Sequence, residues 1–214
     1  RAGEYIFEKD ISFYGVIKNF RKNNLLYRKI TIPECYTVFE TIDLLENNPF
    51  ISGEVLNIPL EGSIYPETYY FLRNESVNDI IKRMQLKMNE KLDEVWKDNY
   101  KYFNSKNDLL VMASLVEAEA KNKNEKYLVS SVFHNRLKKN MKLQSDPTIL
   151  YKKNLLKKNK NLKIYKKDLQ NDNPWNTYTR KGMPISPICN PGLDAIKAAA
   201  NPYITDFLYF VSDG

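Results

Sequence analysis

The chain has 214 residues, 43% hydrophobic and 28% charged, with a formal net charge of +7. That length suffices for one or two domains with a real core, and the balance is that of an ordinary folded protein. The longest apolar run is far too short to cross a bilayer, and with His134 the only histidine a His-based metal cluster lacks material. Cys35 and Cys189 have no metal-ligand spacing; an oxidising compartment would allow them a single bridge. The chain opens on Arg1 rather than Met, so it reads as an excerpt or processed form, with any signal or anchor upstream.

In chain order, the first fifty-odd residues read as strand, helix, strand, helix. Residues 3–7 alternate like a short strand, residues 12–21 have helical periodicity, and residues 28–33 form a second strand ended by Pro33. Thr37 with Glu40 matches a capping box opening a helix to about Asn47. Pro49, Gly53 and Pro59 then punctuate a boundary. An aromatic-rich loop and short strand follow over residues 60–71. Ser76 and Asp79 cap a long amphipathic helix to about Asp98, and Ser105 and Asp108 cap another. A further helix spans Glu125 to Lys139, with Asn140 as a left-handed stop. Asp146-Pro147 opens a short helix, Asn190-Pro-Gly192 precedes one from Leu193 to Ala200, and residues 207–212 read as a terminal strand. The fold class is α+β: a small N-terminal β-α-β-α module over residues 1–58, then a larger mixed α+β domain over residues 59–214.

The helix after Ser105 is the most informative. From Leu109 to Val116 only Ser114 interrupts the apolar run, so the helix is buried on most sides rather than along one stripe. Glu117 and Glu119 lie at its end, where a carboxylate must be paired or have its pKa raised. A raised pKa suits a general acid. Two residues apart on a helix, the two side chains point roughly 200° from each other, so both cannot face one cleft. Periodicity leaves open which is functional, and an ordinary polar helix end stays open too. Elsewhere, Asn135, Gln144, Asp146, Asn176 and Tyr178 put amides, a carboxylate and a ring into loops, the equipment of a sugar-binding groove. Eight lysines between Lys152 and Lys167, without an acidic residue among them, read either as a solvated segment or as an attractor of anionic polymer.

Taken together, the segments Leu60-Glu-Gly-Ser-Ile-Tyr-Pro-Glu-Thr-Tyr69, Ala113-Ser-Leu-Val-Glu-Ala-Glu119, Val132-Phe-His-Asn-Arg-Leu137, Met141-Lys-Leu-Gln-Ser-Asp-Pro-Thr148 and Asn176-Thr-Tyr178 resemble the endolytic murein transglycosylase (MltG, YceG-like) family. Gly182-Met-Pro184, Asn190-Pro-Gly192 and residues 209–214 continue the match in the family's order, and the Ile32-Pro-Glu34 region is similar to its small LysM-like module. The resemblance implies that Glu119 is the catalytic residue, Glu117 a supporting one, and Gln144, Asp146, Asn176, Tyr178, Asn135 and Glu67 the lining of a glycan groove. It implies cleavage of the bond between N-acetylmuramic acid and N-acetylglucosamine in nascent peptidoglycan strands, with 1,6-anhydro-muramyl ends and no metal or cofactor. It further implies a single upstream membrane anchor in a bacterial inner membrane, a catalytic domain facing the periplasm or cell exterior, and partnership with peptidoglycan synthases. Departures are Cys35 in place of a customary Gly, Ile185-Ser186 in place of Pro-Gly, the Lys-rich insert, and an end at Gly214 before a customary His-containing segment. The alternatives are a glycan-binding module without catalysis and a nucleic-acid-binding protein using Lys152–Lys167.

Overall fold

The computed structural model describes residues 3–22, 24–96, 102–120, 122–157 and 162–211. Over these residues it is a mixed α+β arrangement, rich in helix, with two small two-stranded sheets. Helix α1 (Phe13–Arg21) is followed by β1 (Arg28–Thr31), α2 (Val38–Glu46), β2 (Ile51–Ser52), β3 (Thr68–Phe71) and β4 (Glu75–Ser76). Helices α3 (Val77–Trp96), α4 (Lys106–Glu119), α5 (Lys123–Lys138), α6 (Asp146–Lys157), α7 (Lys166–Gln170) and α8 (Leu193–Ala200) complete it. Among the described residues no helix is long and apolar enough to cross a membrane.

Local chemistry explains most boundaries. The Thr37–Glu40 capping box is present in both directions, and the Ser105 hydroxyl accepts from the Asp108 N–H to open α4. Asn140 adopts φ +54 just beyond α5. Strand β1 pairs antiparallel with β3, and β2 pairs parallel with β4. Two expected strands are absent. In place of the first, the backbone at Tyr5 forms an isolated β-bridge to Leu25 rather than a ladder. Residues 207–211 form no ladder, because side chains take their carbonyls: Asn135 donates to Phe207 O and Arg136 to Leu208 O. Ser212, and residues 97 and 98 of the expected long helix, lie outside the described residues.

Two apolar clusters organise the interior. One gathers Ile30, Ile32, Val38, Leu45, Phe71, Val77, Ile80 and Met84 around the β1–β3 ribbon. The other surrounds α4, whose residues Leu109 to Glu117 are all buried. Helix α8 packs closest against α4 because Ala195, Ala198, Ala199 and Ala200 present no bulk. Ser114 is tolerated in the core because its hydroxyl donates to Val111 O (2.8 Å) and accepts from Ile188 N–H (3.1 Å). Gly62 sits at φ +82, and a Cβ there would lie 2.7 Å from the Pro187 ring, so the loop before β3 can rest on the 185–188 loop only with glycine.

Candidate active site

The end of α4 separates its two carboxylates as completely as helical geometry allows. Glu117 is turned inward, with 4% of its side chain exposed, and meets the Lys126 ammonium at 2.7 Å from a helix face equally closed. Its other oxygen accepts from the Gly192 N–H (2.9 Å), and Lys126 also reaches Glu34 (3.2 Å). Burial pushes the Glu117 carboxyl upward, and the Lys126 and Gly192 bonds only partly offset this. Every oxygen of Glu117 is therefore committed to the interior.

Glu119 is half-buried on the opposite side, where the loop after α5 comes back against α4. The Ser145 hydroxyl donates to Glu119 Oε1 at 2.6 Å. Burial raises the Glu119 pKa and the Ser145 bond lowers it; the nearby Asp146 charge raises it again and Arg136 pulls it down, with a net upward shift. A carboxyl whose hold on its proton is strengthened by burial, with one oxygen pinned and the other free of protein partners among the described residues, is placed to give and then take a proton.

Ser145 is itself fixed. Its N–H donates to Thr177 Oγ1 (2.9 Å), its carbonyl accepts from Thr148 Oγ1 (2.6 Å), and the preceding Gln144 N–H donates to Thr177 O (3.1 Å). The backbone turn that sets this up places Gln144 at φ +48, with an exposed side chain. Asp146 starts α6 and accepts from the Tyr178 hydroxyl at 2.5 Å. Burial and the Asp146 carboxylate hold that phenol far above its ordinary range. Glu119, Gln144, Asp146 and Tyr178 are thus gathered by one pairing of two loops, 144–148 with 176–178.

The other candidates lie elsewhere in the architecture. Asn176 is buried; its amide donates to Leu169 O and Asn171 O, and its oxygen accepts from the Tyr178 and Thr179 N–H groups. It builds the loop that presents Tyr178. Asn135 lies within α5 rather than in a loop, and donates to Thr205 O (2.7 Å) and Phe207 O (3.0 Å), pinning the final described segment. Arg136 beside it bonds Leu143 O and Leu208 O, both at 2.7 Å, and carries the positive charge felt by Glu119. Glu67 is exposed just before β3, with Tyr65 and Tyr69 as neighbours. A cleft of about 560 Å³ runs past Tyr102, His134, Asn135, Tyr203 and Thr205, and Glu119 is not in its lining. Ser145, Thr148, Thr177 and Arg136 were missed as site residues by sequence reasoning. The adjacency of Ser145 to Asp146 was the available signal, but a serine in a turn is ordinarily a turn former. Among the described residues no group of His, Cys, Asp and Glu could hold a metal ion.

The sequence matches the YceG-like family over residues 1–214. The chain belongs to that family. An endolytic murein transglycosylase of Bacillus subtilis is 43% identical over 171 residues, 79% of this chain. One from Streptococcus pneumoniae is 29% identical and covers the whole chain. The crystal structure of a YceG-like protein of Listeria monocytogenes superposes with a TM-score of 0.75 at 29% identity, over 98% of this chain and 78% of that one. This YceG-like chain spans 46% of the length of the curated relatives it matches.

Proposed function

We propose that this chain carries the catalytic centre of an endolytic murein transglycosylase and that Glu119 is its single acid and base. The observation that carries the reading is the division of labour at the end of α4: Glu117 is spent in a buried ion pair, whereas Glu119, its pKa raised, keeps an oxygen free of partners among the described residues. Glycosidases that use water employ two carboxylates. A transglycosylase needs only one. Glu119 donates its proton to the glycosidic oxygen between N-acetylmuramic acid and N-acetylglucosamine as that bond breaks. The resulting carboxylate takes the proton of the muramic C6 hydroxyl, whose oxygen closes on C1 to give the 1,6-anhydro ring. The substrate's acetamido group stabilises the positive charge between the two steps. The Ser145 bond aims the carboxyl, and Arg136 limits how far its pKa climbs. Gln144, Asp146 and Tyr178 line the glycan groove; Asn176 acts by shaping the Tyr178 loop, and Asn135 and Glu67 contribute at its edges.

The remaining elements of the reading follow from the family. Residues 1–58 form a LysM-like N-terminal module and residues 59–214 the catalytic domain, with the β1–β3 ladder bridging the two. A membrane anchor upstream of Arg1 holds the enzyme on the outer face of the cytoplasmic membrane beside peptidoglycan synthases. A nucleic-acid partner is not favoured, since part of the basic stretch is used internally: Lys153 pairs with Asp168 (2.6 Å) and Lys152 lies over the Trp175 ring. Residues 158–161 of that stretch lie outside the described residues.

The test is digestion of peptide-stripped glycan strands followed by mass spectrometry. Anhydro-muramyl products are expected from the wild type, with Glu119→Gln slower by roughly 10²–10⁴-fold. Equal product from both proteins removes Glu119 from its role, and reducing ends make the protein a hydrolase. Retained glycan binding without product identifies a non-catalytic module.

A further inference from the structure

We propose that Cys35 and Cys189 form an intramolecular disulfide that fastens the turn between β1 and α2 to the loop entering α8. The two sulfurs stand 2.7 Å apart, closer than unbonded sulfurs rest against each other, although 154 positions separate the residues. The approach is built by the backbone rather than by two rotamers. Cys35 N–H donates to Asn190 O (3.0 Å) and Asn190 N–H to Tyr36 O (2.9 Å), a rung that sets residues 35 and 189 side by side. The Asn190 side chain locks the rung, donating to Tyr36 O (2.8 Å) and accepting from Ile64 N–H (3.0 Å). Asn190 is wholly buried, so the two loops cannot drift apart without exposing unpaired groups.

Two features favour a bond over a pair of thiols. Cys35 occupies φ +61, a left-handed conformation that costs an L residue energy and that glycine fits without strain. A cysteine placed there forgoes that freedom, and a covalent link is what its side chain can supply in return. Cys35 is also partly exposed while Cys189 is buried, which gives the reaction a direction. Cys35 as thiolate attacks a small-molecule disulfide and expels one thiol. Cys189 then attacks the Cys35 sulfur of the mixed disulfide, expelling the second thiol, which takes up the Cys189 proton. Two protein thiols lose two hydrogens and one external disulfide becomes two thiols. Cys189 Sγ also lies 3.6 Å from Ser114 O, and the next residues lead to the Gly192 N–H on Glu117, so the bridge braces α4.

Purified without reductant, equilibrated with oxidised glutathione, then denatured and alkylated, the protein is expected to show Cys35 and Cys189 unmodified and joined in one peptide pair, two hydrogens lighter than the reduced form. Reduction should lower Tm by several degrees, since the bridge closes a long loop in the unfolded chain. Cys35→Gly, which suits the left-handed backbone, should fold with a Tm indifferent to reductant, and Cys189→Ser should behave likewise. Two alkylated thiols after oxidation, a link between separate chains, a stable glutathione adduct at Cys35, or a wild-type Tm that ignores reductant would each overturn the proposal.

Discussion

Replacing Lys126 with methionine isolates the buried charge that anchors the end of α4. Methionine fills much of the same volume, so the perturbation is chiefly electrostatic. Glu117, 4% exposed at its side chain, would keep only the Gly192 N–H as a partner among the described residues. Glu34 loses its contact too, but its side chain is half exposed and water replaces the ammonium. The loss is therefore that of one uncompensated buried carboxylate, about 3–5 kcal/mol. At roughly 2–4 °C per kcal/mol for a chain of this size, Tm should fall by about 6–20 °C. The pH dependence gives a signature that a packing defect would lack. Burial already raises the Glu117 pKa with Lys126 present, and removing the lysine removes what opposes it. A folded-state pKa above the unfolded value means the variant is relatively best at low pH and loses stability as pH rises through the shifted range. The deficit against wild type should accordingly narrow as pH falls toward about 4.3. Adding Glu117→Gln, which keeps an acceptor for Gly192 and removes the charge, should restore at least half of the lost Tm at neutral pH. Thermal melts followed by circular dichroism between pH 4.5 and 8 measure all of this. A Lys126→Met melt within two or three degrees of wild type, or a double variant no better than the single, would refute the reasoning.

Ser145→Ala removes a hydrogen bond that lowers the Glu119 pKa, so the alkaline limb of the kcat/KM profile on glycan strands should move to higher pH. Asn190→Ala leaves the buried Ile64 N–H without an acceptor and costs about 3 kcal/mol in urea unfolding. Glu61, whose carboxyl burial pushes up to about 7 while it accepts from the Val38 N–H, is raised relative to the unfolded chain. It should make the protein lose about 3 kcal/mol of stability between pH 4.5 and 7, a slope that Glu61→Gln flattens in melts across that window.

Local signals carried a large part of the fold. The Thr37–Glu40 box, the Ser105 cap, the Asn140 stop and the apolar run of α4, broken only at Ser114, each act within a few turns, and each appears where the chain chemistry puts it. Failures occurred where the deciding partner is remote. Residues 207–211 alternate like a strand, yet Asn135 and Arg136 from α5 take their carbonyls. Strands β2 and β4 are two residues each and exist only because they meet. Helix α7 is not legible in the sequence either, since five residues carry too little periodicity.

The candidate site divides in the same way. Sequence alone determined that a packed apolar helix ends in two carboxylates, and helical geometry that they face apart. Which one is spent and which stays available was decided by residues distant in the chain. Lys126, Gly192 and Glu34 close around Glu117, while Ser145 meets Glu119 from a loop held by Thr177. A carboxylate's availability depends on what neutralises or hydrogen-bonds it, and those partners come from elements that only folding brings to the end of α4.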